Sequence, residues 1–201
     1  LRLIEVVDKV ISEISCGQLD SFYFDGQTIA LEDYLEIYPD KKQQITRLIK
    51  ENKLFIGPWY VLADEFLVSG ESLIRNLIIG INQSKKYGCN RFIGYLPDAF
   101  GHSSCIPMVL KSCGIENALV WRGVGNHNTE FKWKSADGAD VFTTYLVEGY
   151  FQDILNLNIS APEKAEKIKE ILLKIQKYAV TNRILLPTGG DHLAPADNIK
   201  K

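Results

Sequence analysis

Short apolar segments suited to strands alternate with longer segments of helical period along almost the whole chain. That alternation restricts the fold more than any other feature. The strand candidates are Ser21 to Phe24, Leu54 to Ile56, Phe92 to Leu96, Ala118 to Trp121 and Ile184 to Leu186. Much of the pattern recurs at roughly thirty-residue spacing, the length of a strand plus a crossover helix, and predicts a parallel sheet. The strands are nearly continuous in apolar residues, which suits burial on both faces. A closed or nearly closed (β/α) barrel and an open doubly wound sheet both fit.

The helical segments carry their own punctuation. Leu3, Ile4, Val7, Val10, Ile11 and Ile14 recur at helical spacing with no cap before them. They read as a helix whose preceding strand lies before Leu1. Pro39 opens a helix with Ile45, Leu48 and Ile49 on one face. Ser69 caps the next, whose apolar stripe is Leu73, Ile74, Leu77, Ile78 and Ile81. Ser103 or Ser104 is expected to cap a short helix through Ile106, Val109 and Leu110, stopped at Gly114. Glu130 to Lys134 and Val141 to Leu146 predict a hairpin around Asp137-Gly138. Ser160 and Glu163 form a capping box that starts a helix with Ala165, Ile168, Ile171, Leu172, Ile175 and Tyr178 inward. The close at Ile199-Lys200-Lys201 is abrupt, so the chain is expected to be a segment of a longer catalytic domain.

Composition excludes several classes. A chain 46% hydrophobic and 24% charged forms an ordinary globular core. A net charge of -2 leaves no footprint for nucleic acid or an anionic membrane. No apolar run is long enough to span a bilayer. No charged segment and cleavage site precede the first helix, which points to the cytoplasm. Cys16, Cys89, Cys105 and Cys113 are scattered without a C-x-x-C pair and are expected to stay reduced. No glycine motif for nucleotide phosphates is present.

The chemistry gathers at strand ends. Gly94-Tyr95-Leu96-Pro97-Asp98-Ala99-Phe100-Gly101-His102-Ser103 is an apolar strand that ends in a carboxylate. Ile184-Leu185-Leu186-Pro187-Thr188-Gly189-Gly190-Asp191-His192 gives a second. Acids at carboxyl ends of strands are where α/β enzymes place catalytic groups, and glycoside cleavage uses two of them. Taken alone, Asp98 also suits a helix cap and Asp191 a loop. His102, four residues after Asp98, either faces it as a partner or ligand, or holds the loop. His192 is a metal ligand or a polar filler. Trp59, Tyr60, Phe100, Trp121, Tyr150 and Phe151 lie at or past strand ends, where aromatic faces cover sugars or simply pack. Asp64, Glu65, Arg122, Glu148 and Asp153 are charged groups of the same rim, each expected to be solvated.

These segments, with Phe24-Asp25-Gly26-Gln27, Gly57-Pro58-Trp59-Tyr60-Val61-Leu62-Ala63-Asp64-Glu65, Ser69-Gly70-Glu71-Ser72-Leu73-Ile74-Arg75-Asn76 and Val120-Trp121-Arg122-Gly123, resemble the catalytic domain of glycoside hydrolase family 38. These are the α-mannosidases, and the bacterial branch that includes mannosylglycerate hydrolases is the most similar. The resemblance runs nearly end to end in the same order. It implies that residues 1–201 are part of one N-terminal catalytic domain. That domain is an α/β (β/α)7 barrel whose first strand and C-terminal part lie outside the chain. It further implies a retaining, exo-acting α-mannosidase working through a covalent glycosyl-enzyme intermediate.

The resemblance also implies roles. Asp98 is the nucleophile and a metal ligand, and Asp191 the general acid/base. Phe100, Arg122 and Asp153 meet the substrate, with Arg122 also holding the charge of Asp98. Eukaryotic relatives carry two adjacent acids where this chain has Gly190-Asp191. A divalent metal, usually zinc, is implied, with the other ligands expected outside the chain. The segment alone is therefore expected to be inactive and poor in metal. An α-mannoside or mannosylglycerate is the implied substrate, and a homo-oligomer of the full-length enzyme stays open. Strand-end Asp and His also suit a metal-dependent polysaccharide deacetylase, and the aromatic rim a non-catalytic carbohydrate-binding domain.

Overall fold

Val7, Val10, Ile11 and Ile14 lie on one side of α1 (Arg2–Ser15), and burying that stripe is what docks the helix. The protein is described by a computed structural model covering residues 2–125, 128–150, 152–191, 193–197 and 199. The chain continues through β1 (Phe22–Tyr23), α2 (Ile29–Ile37), a 3-10 turn at Pro39–Lys41, α3 (Lys42–Lys50) and β2 (Leu54–Phe55). It then forms α4 (Gly70–Lys86), β3 (Gly94–Leu96), α5 (Ile106–Ser112), β4 (Asn117–Val120), β5 (Glu130–Lys134), β6 (Asp140–Tyr145) and α6 (Ala161–Gln176).

The fold is mixed α/β. β1 and β2 pair in parallel, Phe22 opposite Leu54. A second sheet runs in the order β3-β4-β6-β5, parallel except for β5, which turns back on β6 through the expected hairpin. Side chains join the two sheets. Trp59 donates from Nε1 to the Tyr95 carbonyl at 2.9 Å, and the Tyr23 and Tyr95 rings meet edge to face with centroids 5.2 Å apart.

Two cores follow from this division. One packs α1, α2 and α3 around β1 and β2, with Val10, Tyr34, Ile45 and Ile56 wholly enclosed. The other packs α4 and α5 on the larger sheet through Leu77, Ile106, Leu110 and Val120. Each such side chain contributes about 1.5–3 kcal/mol when fully buried. Gly80 marks the closest approach of α4 to the backbone of Pro58 and Trp59, where a Cβ would overlap the Pro58 oxygen.

Several expectations are corrected. The sequence reading passed over α2, although Leu31, Tyr34 and Leu35 are buried at helical spacing. Ser69 does cap α4, accepting from the Ser72 amide at 3.1 Å. Ile74 and Ile78 are half exposed, because the buried stripe runs through Leu73, Leu77, Gly80, Ile81 and Ser84. α5 starts from Cys105 with no side-chain cap; Ser103 instead accepts from the Cys105 amide at 3.3 Å, two residues early. The capping box of α6 forms, yet only Ile175 of its apolar face is buried. Ile184 to Leu186 is not a strand: the segment lines a cavity of about 810 Å³ beside β5 and β6 and pairs with neither. Gly189, past it, makes an isolated antiparallel bridge with Gln152.

Candidate active site

The ends of β1, β3 and β4 meet at one rim. Pro97 follows β3 and Asp98 follows Pro97, so the carboxylate leaves the sheet at its carboxyl end. Arg122 lies two residues past β4, the strand paired with β3. That neighbouring register lets its guanidinium Nε reach Asp98 Oδ1 as an ion pair, with both side chains a little over one-third exposed. The guanidinium also lies over the Trp121 ring at 4.1 Å and the Phe100 ring at 4.6 Å. Phe100 is 68% exposed, an apolar face open at the rim.

Asp191 reaches the same region from the stretch after α6. The Tyr150 hydroxyl lies 3.0 Å from both its carboxylate oxygens and donates to them. Tyr150 in turn stacks edge to face on Trp121 at 5.3 Å. Burial pushes the Tyr150 phenol well above its usual range, reinforced by the hydrogen bond to Asp191 and the charges of Asp98, Asp191 and Asp25. A phenol held protonated in this way is a lasting donor to a carboxylate.

Asp25, just past β1, is a third acid at the rim. Its backbone takes φ +44°, a conformation Asp tolerates. Protein packed on its inner side strips water from the carboxylate and raises its pKa, and the charges of Asp191 and Asp98 act in the same direction. Hydrogen bonds from Gln27 and Tyr95 oppose the rise. The rim thus gathers Asp25, Asp98 and Asp191 close enough for their charges to interact, with one cation, Arg122, on Asp98.

Asp153 lies further along. It accepts from Asn156 at 2.6 Å, and Asn156 also donates to the Ala194 carbonyl at 3.3 Å, so it braces the stretch beyond Asp191. Trp59 is 1% exposed and packs in the core, away from any sugar face. Glu148 stays at the surface, 3.9 Å from Lys174. Glu65, expected to be solvated, is buried. It takes His102 and the Ser103 amide, so His102 faces Glu65 and not Asp98. Phe151 and His192 lie outside the described residues.

The sequence reading singled out neither Asp25 nor Glu65 for a role at the site. Asp25 carried a usable signal, a position just past a strand like that of Asp98. Glu65 stands among the charged groups of the rim in the sequence, but nothing local marks its burial, since its partner lies 37 residues away in the chain.

Comparison with known proteins gives consistent results. The model of the Glycosyl hydrolases family 38 N-terminal domain matches residues 4–201. A protein of Halalkalibacterium halodurans named "Putative mannosylglycerate hydrolase" is 34% identical over 94% of this chain and 23% of its own length. The "Alpha-mannosidase" of Saccharomyces cerevisiae is 31% identical over 62% of the chain and 12% of its own. The crystal structure of an alpha-mannosidase from Enterococcus faecalis superposes with a TM-score of 0.87 at 34% identity, over 95% of this chain and 22% of that one. The chain therefore spans less than a quarter of the length of these relatives.

Proposed function

The chain belongs to glycosyl hydrolase family 38, and on that premise we propose that the protein carrying it is a retaining, exo-acting α-mannosidase. Residues 1–201 form part of its single N-terminal catalytic domain, a (β/α)7 barrel completed by strands outside this chain. The parallel ladders β1-β2 and β3-β4-β6 support that architecture. The substrate is a terminal α-mannoside, with mannosylglycerate suggested by the Halalkalibacterium relative. The whole protein is read as cytoplasmic and without nucleic-acid or membrane partners. Among the described residues no helix is long and apolar enough to cross a membrane.

The observation that carries the reading is the gathering of Asp98 and Asp191 at one rim, each with a different partner. Arg122 pairs with Asp98 as a charged hydrogen-bond partner and holds the carboxylate in place at the rim. In the first step an Asp98 oxygen bonds to the anomeric carbon while Asp191, protonated, gives its proton to the departing oxygen. In the second, Asp191 takes a proton from water, which attacks the same carbon and frees Asp98. Tyr150 donates to both oxygens of the Asp191 carboxylate and holds it in place. The exposed Phe100 face and Asp153 are the proposed sugar contacts.

A divalent metal, zinc foremost, belongs to this reading with Asp98 as one ligand. Among the described residues no three His, Cys, Asp or Glu are grouped to hold a cation, and Asp98 already pairs with Arg122. These donors do not make up a site by themselves, so no step is assigned to a metal. The isolated chain is accordingly proposed to be inactive, and activity belongs to the intact protein.

In the intact protein, Asp98→Ala is expected to lower turnover by about 10,000-fold or more on every mannoside. Asp191→Ala should retain the first step with aryl mannosides whose leaving groups need no proton. Steady-state kinetics on nitrophenyl and alkyl mannosides checks both. Full activity of Asp98→Ala on an aryl mannoside would overturn the assignment.

A further inference from the structure

Glu65 and His102 are buried, chemically capable and unused by the proposed mechanism. The Glu65 side chain is 0% exposed and that of His102 7%. Burying a carboxylate costs several kcal/mol unless it is paired and hydrogen-bonded, so a carboxylate is found there only with compensating partners. Its partners are specific: Glu65 Oε1 lies 2.7 Å from His102 Nδ1, and Oε2 accepts the Ser103 amide at 2.7 Å. The other ring nitrogen, Nε2, lies 2.8 Å from the Arg122 carbonyl oxygen.

Both ring nitrogens therefore face oxygens. The carbonyl carries no proton, so Nε2 donates to it. The contact between Nδ1 and Glu65 Oε1 is likewise of hydrogen-bond length. The ring is further boxed by Trp133 of β5, edge to face at 5.1 Å. The backbones on either side nearly touch. Gly123 has φ +70°, and a Cβ there would lie 2.9 Å from Gly101 Cα and 3.2 Å from His102 Cδ2.

Three loops converge on this pair: the one after β2 through Glu65, the one after β3 through His102 and Ser103, and the one after β4 through Arg122. The consequence falls on Arg122, which the loop after β3 holds at both ends. Asp98 takes its guanidinium and His102 takes its carbonyl. We propose that Glu65 and His102 are positioning residues, a buried clamp that fixes Arg122 and so aims the Asp98 carboxylate. This proposal rests on the reading of Asp98 as nucleophile.

The test uses the intact protein and a fluorinated mannosyl fluoride. Asp98 bonds to the anomeric carbon, fluoride leaves, and the trapped mannosyl-enzyme is located by mass spectrometry. Label on Asp98 in the parent protein supports the nucleophile reading; label elsewhere overturns it and the clamp together. With Asp98 labelled, His102→Ala and Glu65→Ala should each slow labelling and kcat about 10–100-fold while KM stays within a few-fold, because neither residue touches sugar. Glu65→Gln should restore most of the rate. Its amide oxygen accepts from Ser103 and its amide nitrogen donates to Nδ1, keeping every contact.

If the alanine variants do not fold, Glu65→Met/His102→Leu removes the pair without leaving an orphan charge, and the same loss is expected. Unchanged labelling rates in the folded single or double variants overturn the clamp alone. So does a Glu65→Gln variant that folds but labels as slowly as Glu65→Ala. In nitrogen-15 spectra of histidine-labelled parent protein, both His102 contacts should show protons protected from exchange. A ring with a freely exchanging Nδ1 contact would count against the clamp.

Discussion

Asp98 stands on a loop gripped by buried groups, whereas Asp191 stands on a stretch tied down by exposed ones. The Asp98 loop is anchored by Glu65 and His102 and backed by the Trp59 indole on the Tyr95 carbonyl. The Asp191 stretch returns from α6 through hydrogen bonds to Glu130 and the bridge between Gln152 and Gly189. Buried, fully partnered polar groups hold geometry tightly, while exposed ones hold weakly and adjust. The difference suits the two proposed tasks. A nucleophile must be aimed before the substrate arrives. A proton donor need only reach a leaving group whose position varies with the aglycone.

The largest expected contrast is in amide exchange. The Ser103 amide, bonded to the buried Glu65, should exchange at least about 100-fold more slowly than the Gly189 amide of the isolated bridge, as local openings differ in free energy. Hydrogen-exchange mass spectrometry or NMR measures it, and equal rates would erase the distinction between the two regions.

A smaller effect is expected at Tyr150. Removing its hydroxyl in Tyr150→Phe leaves Asp191 without that donor. The intact protein should lose about three- to tenfold in kcat on alkyl mannosides and less on nitrophenyl mannosides. Equal losses on both substrates would place Tyr150 outside the proton-transfer role.

The smallest concerns Glu130. Partial burial works to raise its pKa, but hydrogen bonds from Thr129, the Val180 amide and Thr181 outweigh it and leave it lowered. A lowered folded value means that the ionised carboxylate stabilises the fold above the ordinary carboxylate range, and this is lost as pH falls through it. Glu130→Gln should therefore lower Tm by about 2 °C or less at neutral pH, with the gap to the parent closing below about pH 4. A gap that widened on acidification would contradict the sign.

Much of this was legible in the residues. The strands from β1 to β6, the Ser69 cap and the Asp137-Gly138 turn follow local rules that the fold keeps, whereas the Ser103 or Ser104 cap expected for α5 does not form. That Asp98 and Arg122 share one rim was legible because each follows a strand; Asp191 reaches that rim from a stretch that forms no strand. What stayed hidden depends on partners far along the chain. Glu65 looks like any surface acid until His102 is brought to it. Ile184 to Leu186 has the composition of a strand, but composition does not specify a pairing partner, and the segment lies along a cavity instead. α2 was passed over because its nine residues lack a side-chain cap and lie close before Pro39.

Gly80 has a bearing on inheritance. Its bare backbone is where α4 meets Pro58 and Trp59, and the Trp59 indole holds the strand that leads to Asp98. One added methyl would collide with the Pro58–Tyr60 backbone that carries this indole. Purifying selection should therefore act on this codon as strictly as on those of the acids, though Gly80 takes no part in the chemistry.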